Sequence, residues 1–325
     1  MNPRKIFYFC YDHQRPRGGQ KEMYRHVDLL NENGYRAYIV HTMDGFRLDW
    51  FKNNTKVIDW QTFSRLCHSG TDYIVFPEDF GKRISSFTGN KIIFNQNVYY
   101  GLYAFGFGRV DKLPYLDSDV KFVMTVSGHN EKYLKFIFPD LALRRIYYGV
   151  DQKRFIYRPI TMKKKVISIM PGKSPVDNAF LYQAVSARAK QNLNKLKNYK
   201  WQLLDMYSEK KITQIFGESL VFVFLGSYEG CPLSPLEAML SGALVVAHRG
   251  GPQAEYLNDS NSFLVDFRDQ LGLIRKVEDI AIKFASKKED LIKMSRRALE
   301  TAREYSLERE KKSVLEFWKE VFHSQ

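Results

Sequence analysis

The stretch that decides the fold is "FLGSYEGCPLSPLEAMLSGALVVAHRGG", residues 224–251. It continues the apolar run "LVFVFLG", which reads as a strand leaving the core. "YEGCPL" follows as a loop, because Gly230 and Pro232 both disfavour regular structure. Ser234-Pro235-Leu236-Glu237 then reads as a helix start. Ser234 would be the N-cap, Pro235 the first helical residue and Glu237 the N3 partner of a capping box. Glu229 therefore belongs to a strand-to-helix loop and Glu237 to the first helical turn, with Pro232 and Pro235 fixing the angle between them. A helix N-terminus carries free N–H groups and the positive end of the dipole, so it attracts anions. A glycine-containing loop in front lets a phosphate approach the backbone. A carboxylate at Glu237 can accept hydrogen bonds from hydroxyls such as a ribose diol.

Outward from this segment the same rhythm repeats. "KIFYFCY" reads as a first buried strand, "DHQRPRGGQ" as a loop ending in Gly18-Gly19, and "KEMYRHVDLLNENG" as a helix closed by Gly34. "YRAYIVH", "TKVIDW", "DYIVFPE", "NKIIFNQN" and "VKFVMTVS" are further strands. Short apolar runs alternating with helices predict parallel strands and crossover helices. Residues 144–165, "RRIYYGVDQKRFIYRPITMKKK", are polar and basic without a core period, and read as an interdomain linker. A second series starts at "VISIM" and continues with "WQLLDM", "LVFVFLG", "ALVVAH" and "SFLVDF"; the chain from about Val277 onward is helical and charged. The expected architecture is two Rossmann-like, doubly wound α/β domains, with ligands beyond the carboxyl ends of the strands.

The 325 residues suffice for two domains, each with its own core. The net charge of +14 points to an anionic partner, such as a nucleotide or a phospholipid surface. Three widely spaced cysteines, Cys10, Cys67 and Cys231, without a CxxC pair speak against a disulfide framework or a zinc site. The apolar run at the N-terminus is too short for a signal peptide, and no stretch has the length of a membrane span. A cytoplasmic location, or one on the cytosolic face of a membrane, is expected.

The segment from Glu229 resembles the signature of the retaining glycosyltransferases of family 4, which have the GT-B fold. The resemblance rests on Glu229, Gly230, Glu237, Gly242, Val245-Val246-Ala247, Gly250-Gly251 and Glu255. Gly18-Gly19 resembles the family's N-terminal glycine loop, "YYGVDQKRF" its passage between domains, and "MYSEKKITQIFGESL" the stretch that holds the donor's base. The resemblance implies two domains facing a cleft. Residues 1–155 would be the acceptor domain, residues 156–305 the donor domain, and residues 306–325 a helix packing back on the first domain. It implies that Glu237 binds the nucleotide ribose and that Glu229 sits by the donor sugar as the catalytic carboxylate. Gly18, Gly19, Lys173, Gly230, Cys231, Pro232, Leu233 and Ser234 would line the donor, with Met206 and Tyr207 at the base. Asn97, Tyr99 and Tyr100 would meet the acceptor. No metal and no cofactor besides the nucleotide-diphosphate sugar are implied. A glycan or lipid-linked acceptor and peripheral contact with an anionic membrane are expected partners, and nucleic acid is not.

The sequence departs from the family pattern in two places. The family usually carries an arginine and a lysine after the first strand of the second domain. Here "VISIMPGKSPVDNAF" offers Lys173 alone, with Arg249 or the run Lys163-Lys164-Lys165 as substitutes, although that run reads as a solvated linker face. Where many members have a histidine, Asn95, Gln96 and Asn97 stand at a strand end, with His129 as the nearest alternative. The Asp117-x-Asp119 pair precedes a strand and reads as a turn rather than a metal site. The incomplete clamp also admits a non-catalytic GT-B-like binding subunit. The fold admits a non-hydrolysing sugar-nucleotide epimerase. Charge alone suggests nucleic-acid binding, and no motif supports it.

Overall fold

The computed structural model describes residues 4–107, 110, 113–170, 174–205 and 207–324. The chain divides into two compact units: unit 1 is Met1–Tyr147 with Glu310–Gln325, and unit 2 is Tyr148–Arg309.

Unit 1 is built on seven strands: β1 (Lys5–Phe9), β2 (Arg36–His41), β3 (Val57–Asp59), β4 (Tyr73–Pro77), β5 (Asn90–Asn95), β6 (Val120–Thr125) and β7 (Leu143–Arg145). They pair in parallel in the order β3-β2-β1-β4-β5-β6-β7. Helices α1 (Gly18–Glu32), α2 (Trp60–Leu66), α3 (Val98–Tyr103) and α4 (Gly128–Ile137) occupy the connections. The central strands are apolar because a parallel sheet with helices on its faces is buried on both sides; Ile6, Phe7, Tyr8 and Phe9 are all buried. Helix α1 buries Met23, Tyr24, Val27 and Leu30, a helical stripe facing the sheet. It closes in a Schellman motif: Tyr35 N–H donates to Leu30 O at 3.0 Å and Gly34 N–H to Asn31 O at 3.3 Å. Gly34 takes the left-handed φ of +86° that the motif requires.

Unit 2 carries β8 (Lys164–Ile169), β9 (Lys200–Leu203), β10 (Ser219–Phe224), β11 (Leu244–His248) and β12 (Phe263–Val265), with α5 (Pro175–Lys190), α6 (Glu209–Glu218), α7 (Ser234–Leu240), α8 (Gln270–Ser286) and α9 (Lys288–Arg303). The order is β12-β11-β10-β8-β9, again parallel throughout the described pairs. The last helix, α10 (Leu307–His323), carries the chain into unit 1 from Glu310 onward. Trp318 is fully buried there and donates its indole N–H to the Tyr8 hydroxyl at 3.1 Å. The Tyr73 hydroxyl donates to Val321 O at 3.1 Å. Among the described residues no helix is long and apolar enough to cross a membrane.

Three expectations need correction. Gly18 and Gly19 are the first residues of α1 rather than the end of a loop. Helix α8 begins at Gln270, where the Asp269 side chain caps it by accepting from Gly272 N–H, well before Val277. Residues 144–165 contain the junction of the two units, at Tyr147/Tyr148, but they do carry core positions: β7 takes up the first of them, and Val150, Phe155 and Ile160 are buried in the cores of unit 2. Gly149 allows this close fit, since a Cβ there would lie 2.6 Å from Ser306 O.

Lys163 is buried as well. Its ammonium donates to Phe216 O at 2.9 Å, Gly217 O at 3.2 Å and Ser241 O at 2.6 Å. These carbonyls end α6 and α7, where unpaired acceptors and the negative dipole end favour a cation. The Lys163→Met variant strips three buried carbonyls of their donor. We expect it to lose about 3 kcal/mol of stability in urea unfolding at pH 7. An unchanged midpoint would mean that the carbonyls do not depend on Lys163.

Candidate active site

In unit 2 the strand order reverses between β10 and β8, and in such sheets the crevice beyond those two strand ends receives the ligand. The loop after β10 is held from several sides. Ser174 Oγ–H donates to Leu225 O at 2.5 Å, tying the start of α5 to the end of β10. Tyr256 is buried and donates its hydroxyl to Pro232 O at 2.5 Å. Burial, with the Cys231 thiol and the Glu229 carboxylate near, raises the Tyr256 phenol well above its ordinary pKa, so it stays a donor. Gly226 leaves room for the Glu229 side chain to fold back over the strand end. A Cβ there would stand 2.6 Å from the Phe224 ring and 3.0 Å from Glu229 Oε1.

Helix α7 begins differently from the sequence expectation. Leu233 is the N-cap position and has helical backbone angles, φ −87° and ψ −26°. Ser234 and Pro235 are therefore already inside the first turn, and Glu237 N–H donates to Leu233 O at 3.0 Å. Ser234, expected as the N-cap, is thus the first residue of the helix, and Leu233 takes the N-cap position. Glu237 is still in the first turn, and both it and Glu229 are half-buried. Gly230, Cys231, Pro232, Leu233 and Ser234 join the two glutamates as one continuous segment. Tyr207 lies between β9 and α6, half-exposed, its hydroxyl accepting from Gln202 Nε2–H at 3.3 Å. Lys173 and Met206 lie outside the described residues. Three of the four substitute cations are engaged elsewhere, and Lys165 is exposed. Arg249 makes two 3.0 Å bonds to Asp259, Lys164 pairs with Glu218 at 3.0 Å, and Lys163 is enclosed by carbonyls.

In unit 1 the order reverses between β1 and β4. The Tyr11 hydroxyl donates to Asp79 Oδ1 at 3.0 Å, joining the loops that leave these strands. Beside them stands a buried chain of polar groups. Burial lowers the His41 pKa, so the ring is neutral. As a neutral ring it donates from Nδ1 to Asp12 at 2.7 Å and accepts at Nε2 from the Tyr24 hydroxyl at 2.8 Å. Asp12 also accepts from Met43 N–H at 2.9 Å and from Thr42 N–H at 3.0 Å, which fixes the turn after β2. Gly19, in the first turn of α1, faces Gln96; a Cβ there would be 2.1 Å from Gln96 Oε1.

The acceptor candidates lie just beyond β5. Asn97 is the N-cap of α3 and accepts from Tyr99 N–H at 3.0 Å. The Tyr99 hydroxyl meets His129 Nε2 at 2.8 Å, so the histidine is in the same group. Tyr100 is exposed, as are Tyr103, Phe107 and Leu116 nearby in sequence. Asp117 and Asp119 form a turn before β6 and pair with the buried Lys91 at 2.6 Å and 3.8 Å. Sequence reasoning missed Asp12, Glu78 and Asp79. The signal was "FPEDF", an acidic pair directly after a buried strand.

Residues 185–298 match the family model described as Glycosyl transferases group 1. None of the curated proteins matches the chain by sequence. Solved structures match over the whole length. A glycosyltransferase from Rickettsia africae has a TM-score of 0.73 at 16% identity, covering 100% of both chains. The sucrose-phosphate synthase of Thermosynechococcus elongatus has a TM-score of 0.70 at 13% identity, covering 99% of this chain and 100% of that one. Anabaena HepE, solved with UDP and glucose, has a TM-score of 0.66 at 14% identity, covering 98% and 100%. These likenesses show the fold, two parallel-sheet α/β units of the GT-B type.

Removing the Tyr256 hydroxyl tests how firmly the loop is pinned. The Tyr256→Phe variant leaves a buried carbonyl at Pro232 without its donor. We expect a loss of about 1–2 kcal/mol in denaturant unfolding and faster amide exchange across residues 229–233. Unaltered exchange there would assign the pinning to other contacts.

Proposed function

We propose that this chain is a retaining glycosyltransferase, moving a sugar from a nucleotide-diphosphate sugar to a hydroxyl of a glycan or lipid-linked acceptor. The observation that carries this reading is the Glu229–Glu237 segment. It stands at the carboxyl end of β10, beside the strand-order reversal, and inside the residues that match the glycosyltransferase model. The ligands solved with Anabaena HepE support UDP or a related nucleotide as the donor carrier.

In this reading unit 2 holds the donor. Glu237 accepts hydrogen bonds from the ribose diol, and Glu229 reaches the sugar. Backbone N–H groups of Gly230, Cys231 and Leu233, with Lys173, meet the charge on the diphosphate. Tyr207, with Met206, lies by the base. The anomeric carbon–oxygen bond to the diphosphate breaks as the acceptor oxygen bonds to the same face of that carbon. The acceptor's proton passes to the departing phosphate oxygen, so no enzymic nucleophile is needed. Stabilising negative charge on the leaving group is then the protein's main contribution. The reading assigns no metal and no cofactor beyond the nucleotide sugar. Asn97, Tyr99 and Tyr100 of unit 1 are the acceptor residues, and Gly18-Gly19 give close approach to backbone.

The direct test is a thermal-shift screen with UDP-, GDP-, ADP- and dTDP-sugars, since a ligand that binds the native state raises the melting temperature. Glu237→Gln should weaken the active nucleotide sugar about tenfold, roughly 1.4 kcal/mol, because a charged acceptor makes the stronger bond. Equal affinity in both proteins would leave Glu237 a purely structural residue. The net charge of +14 and the exposed Tyr103, Phe107 and Leu116 support peripheral contact with an anionic bilayer. Sedimentation with anionic liposomes at low salt should recover the protein and high salt should release it. Failure to sediment at low salt removes that contact.

A further inference from the structure

Glu78 directly follows β4, at the strand-order reversal of unit 1, and is buried. Its Oε2 accepts the N–H of Gln96 at 2.9 Å. Gln96 lies against the first turn of α1, at a point where only a glycine fits. The next residue, Asn97, caps α3, and Tyr99 of that helix reaches His129. Helix α3 packs against the same side chain at its Cβ. A Cβ on Gly101 would stand 3.2 Å from Glu78 Cβ, 2.5 Å from the Tyr115 hydroxyl and 3.1 Å from Asn95 Nδ2. Asn95 in turn donates to the Tyr115 hydroxyl at 2.7 Å and accepts from Asn130 Nδ2–H at 3.2 Å. One buried side chain therefore sits where the ends of β4 and β5 and the start of α3 meet.

We propose that Glu78 is the positioning residue of the acceptor turn, setting Gln96 against Gly19 and orienting Asn97 and Tyr99 toward acceptor hydroxyls. The group works as a neutral acid. Burial, reinforced by the Asp79 carboxylate beside it, pushes its pKa up to about 8. The other titratable and charged groups around it are the Tyr115 phenol, raised by burial, and the Tyr11 phenol, which bonds to Asp79 and is also near Arg83. The folded pKa lies above the unfolded one, so the proton stabilises the folded turn. That contribution is complete in acid and is lost as pH rises through about 8. Above that pH a buried carboxylate faces Asp79, and the turn loosens.

The kinetic arm of the test rests on the glycosyl-transfer reading; the structural arm needs no substrate. Hydrogen–deuterium exchange over residues 95–99 is compared between wild type and Glu78→Gln at matched pH. Glutamine keeps a neutral carbonyl for the Gln96 N–H and cannot ionise. The two proteins should exchange alike at pH 6.5, and wild type should exchange at least threefold faster at pH 9. In transfer assays Glu78→Gln should stay within about threefold of wild type at pH 7 and lose the decline that wild type shows near pH 8. Glu78→Ala should raise the acceptor KM at least tenfold while the thermal shift by nucleotide sugar is unchanged. Identical exchange and identical pH profiles in wild type and Glu78→Gln would overturn the proposal. So would a Glu78→Gln protein that exchanges like wild type yet is as inactive as Glu78→Ala, because the carboxyl would then act in the chemistry itself. If wild type binds no nucleotide sugar, the transfer reading fails, and the exchange comparison alone decides the role of Glu78.

Discussion

Parallel strand pairing is the constraint from which the rest follows. Every described pairing in both sheets is parallel, so the chain must cross back to the amino edge before each new strand. All the segments that leave strands thereby collect at the carboxyl edges. Their backbone groups have no sheet partners there and need side chains to hold them. Both units meet this need with side-chain donors and acceptors. In unit 2, Ser174 and Tyr256 bond to carbonyls of the β10 loop. In unit 1, Glu78 takes an N–H beyond β5, and Asp12 takes those beyond β2. The residues that hold these loops are therefore neighbours of the residues assigned to ligands. Chemistry and stability share one edge of each sheet.

What the sequence revealed and what it hid divide along the same physical line. Strands buried on both faces are apolar through their middles, so β1, β4, β10 and β11 stand out as apolar runs, and β5 shows only the shorter run Ile92-Ile93-Phe94. β7 does not, since an edge strand of three residues can contain two arginines. Val150, Phe155 and Ile160 recur every five residues, which is neither a helical nor a strand period, so their burial left no pattern to read. The start of α7 was missed by one residue because the backbone of Leu233, not the identity of Ser234, decides where the helix begins. The Glu229 loop was legible because glycine, proline and two carboxylates are chemically distinctive at short range. Glu78 and Lys163 were not. Each is an ordinary charged residue in the sequence, and its role comes from being enclosed by groups far away along the chain.

Unit 1 is discontinuous: the chain leaves it at Tyr147 and returns at Glu310. The returning helix supplies Trp318, packed against Tyr8 and Tyr73, and Glu310, which accepts from Arg25 at 2.7 Å. The core of unit 1 therefore cannot close until α10 has been synthesised. Unit 2 has all its residues earlier. On the ribosome the order of completion runs against the order of translation, with the sheet of unit 1 waiting for a helix made after unit 2. During that interval Tyr8 and Tyr73, on adjacent central strands, lack the indole that covers them. The nascent chain presents an apolar surface for as long as unit 2 takes to emerge.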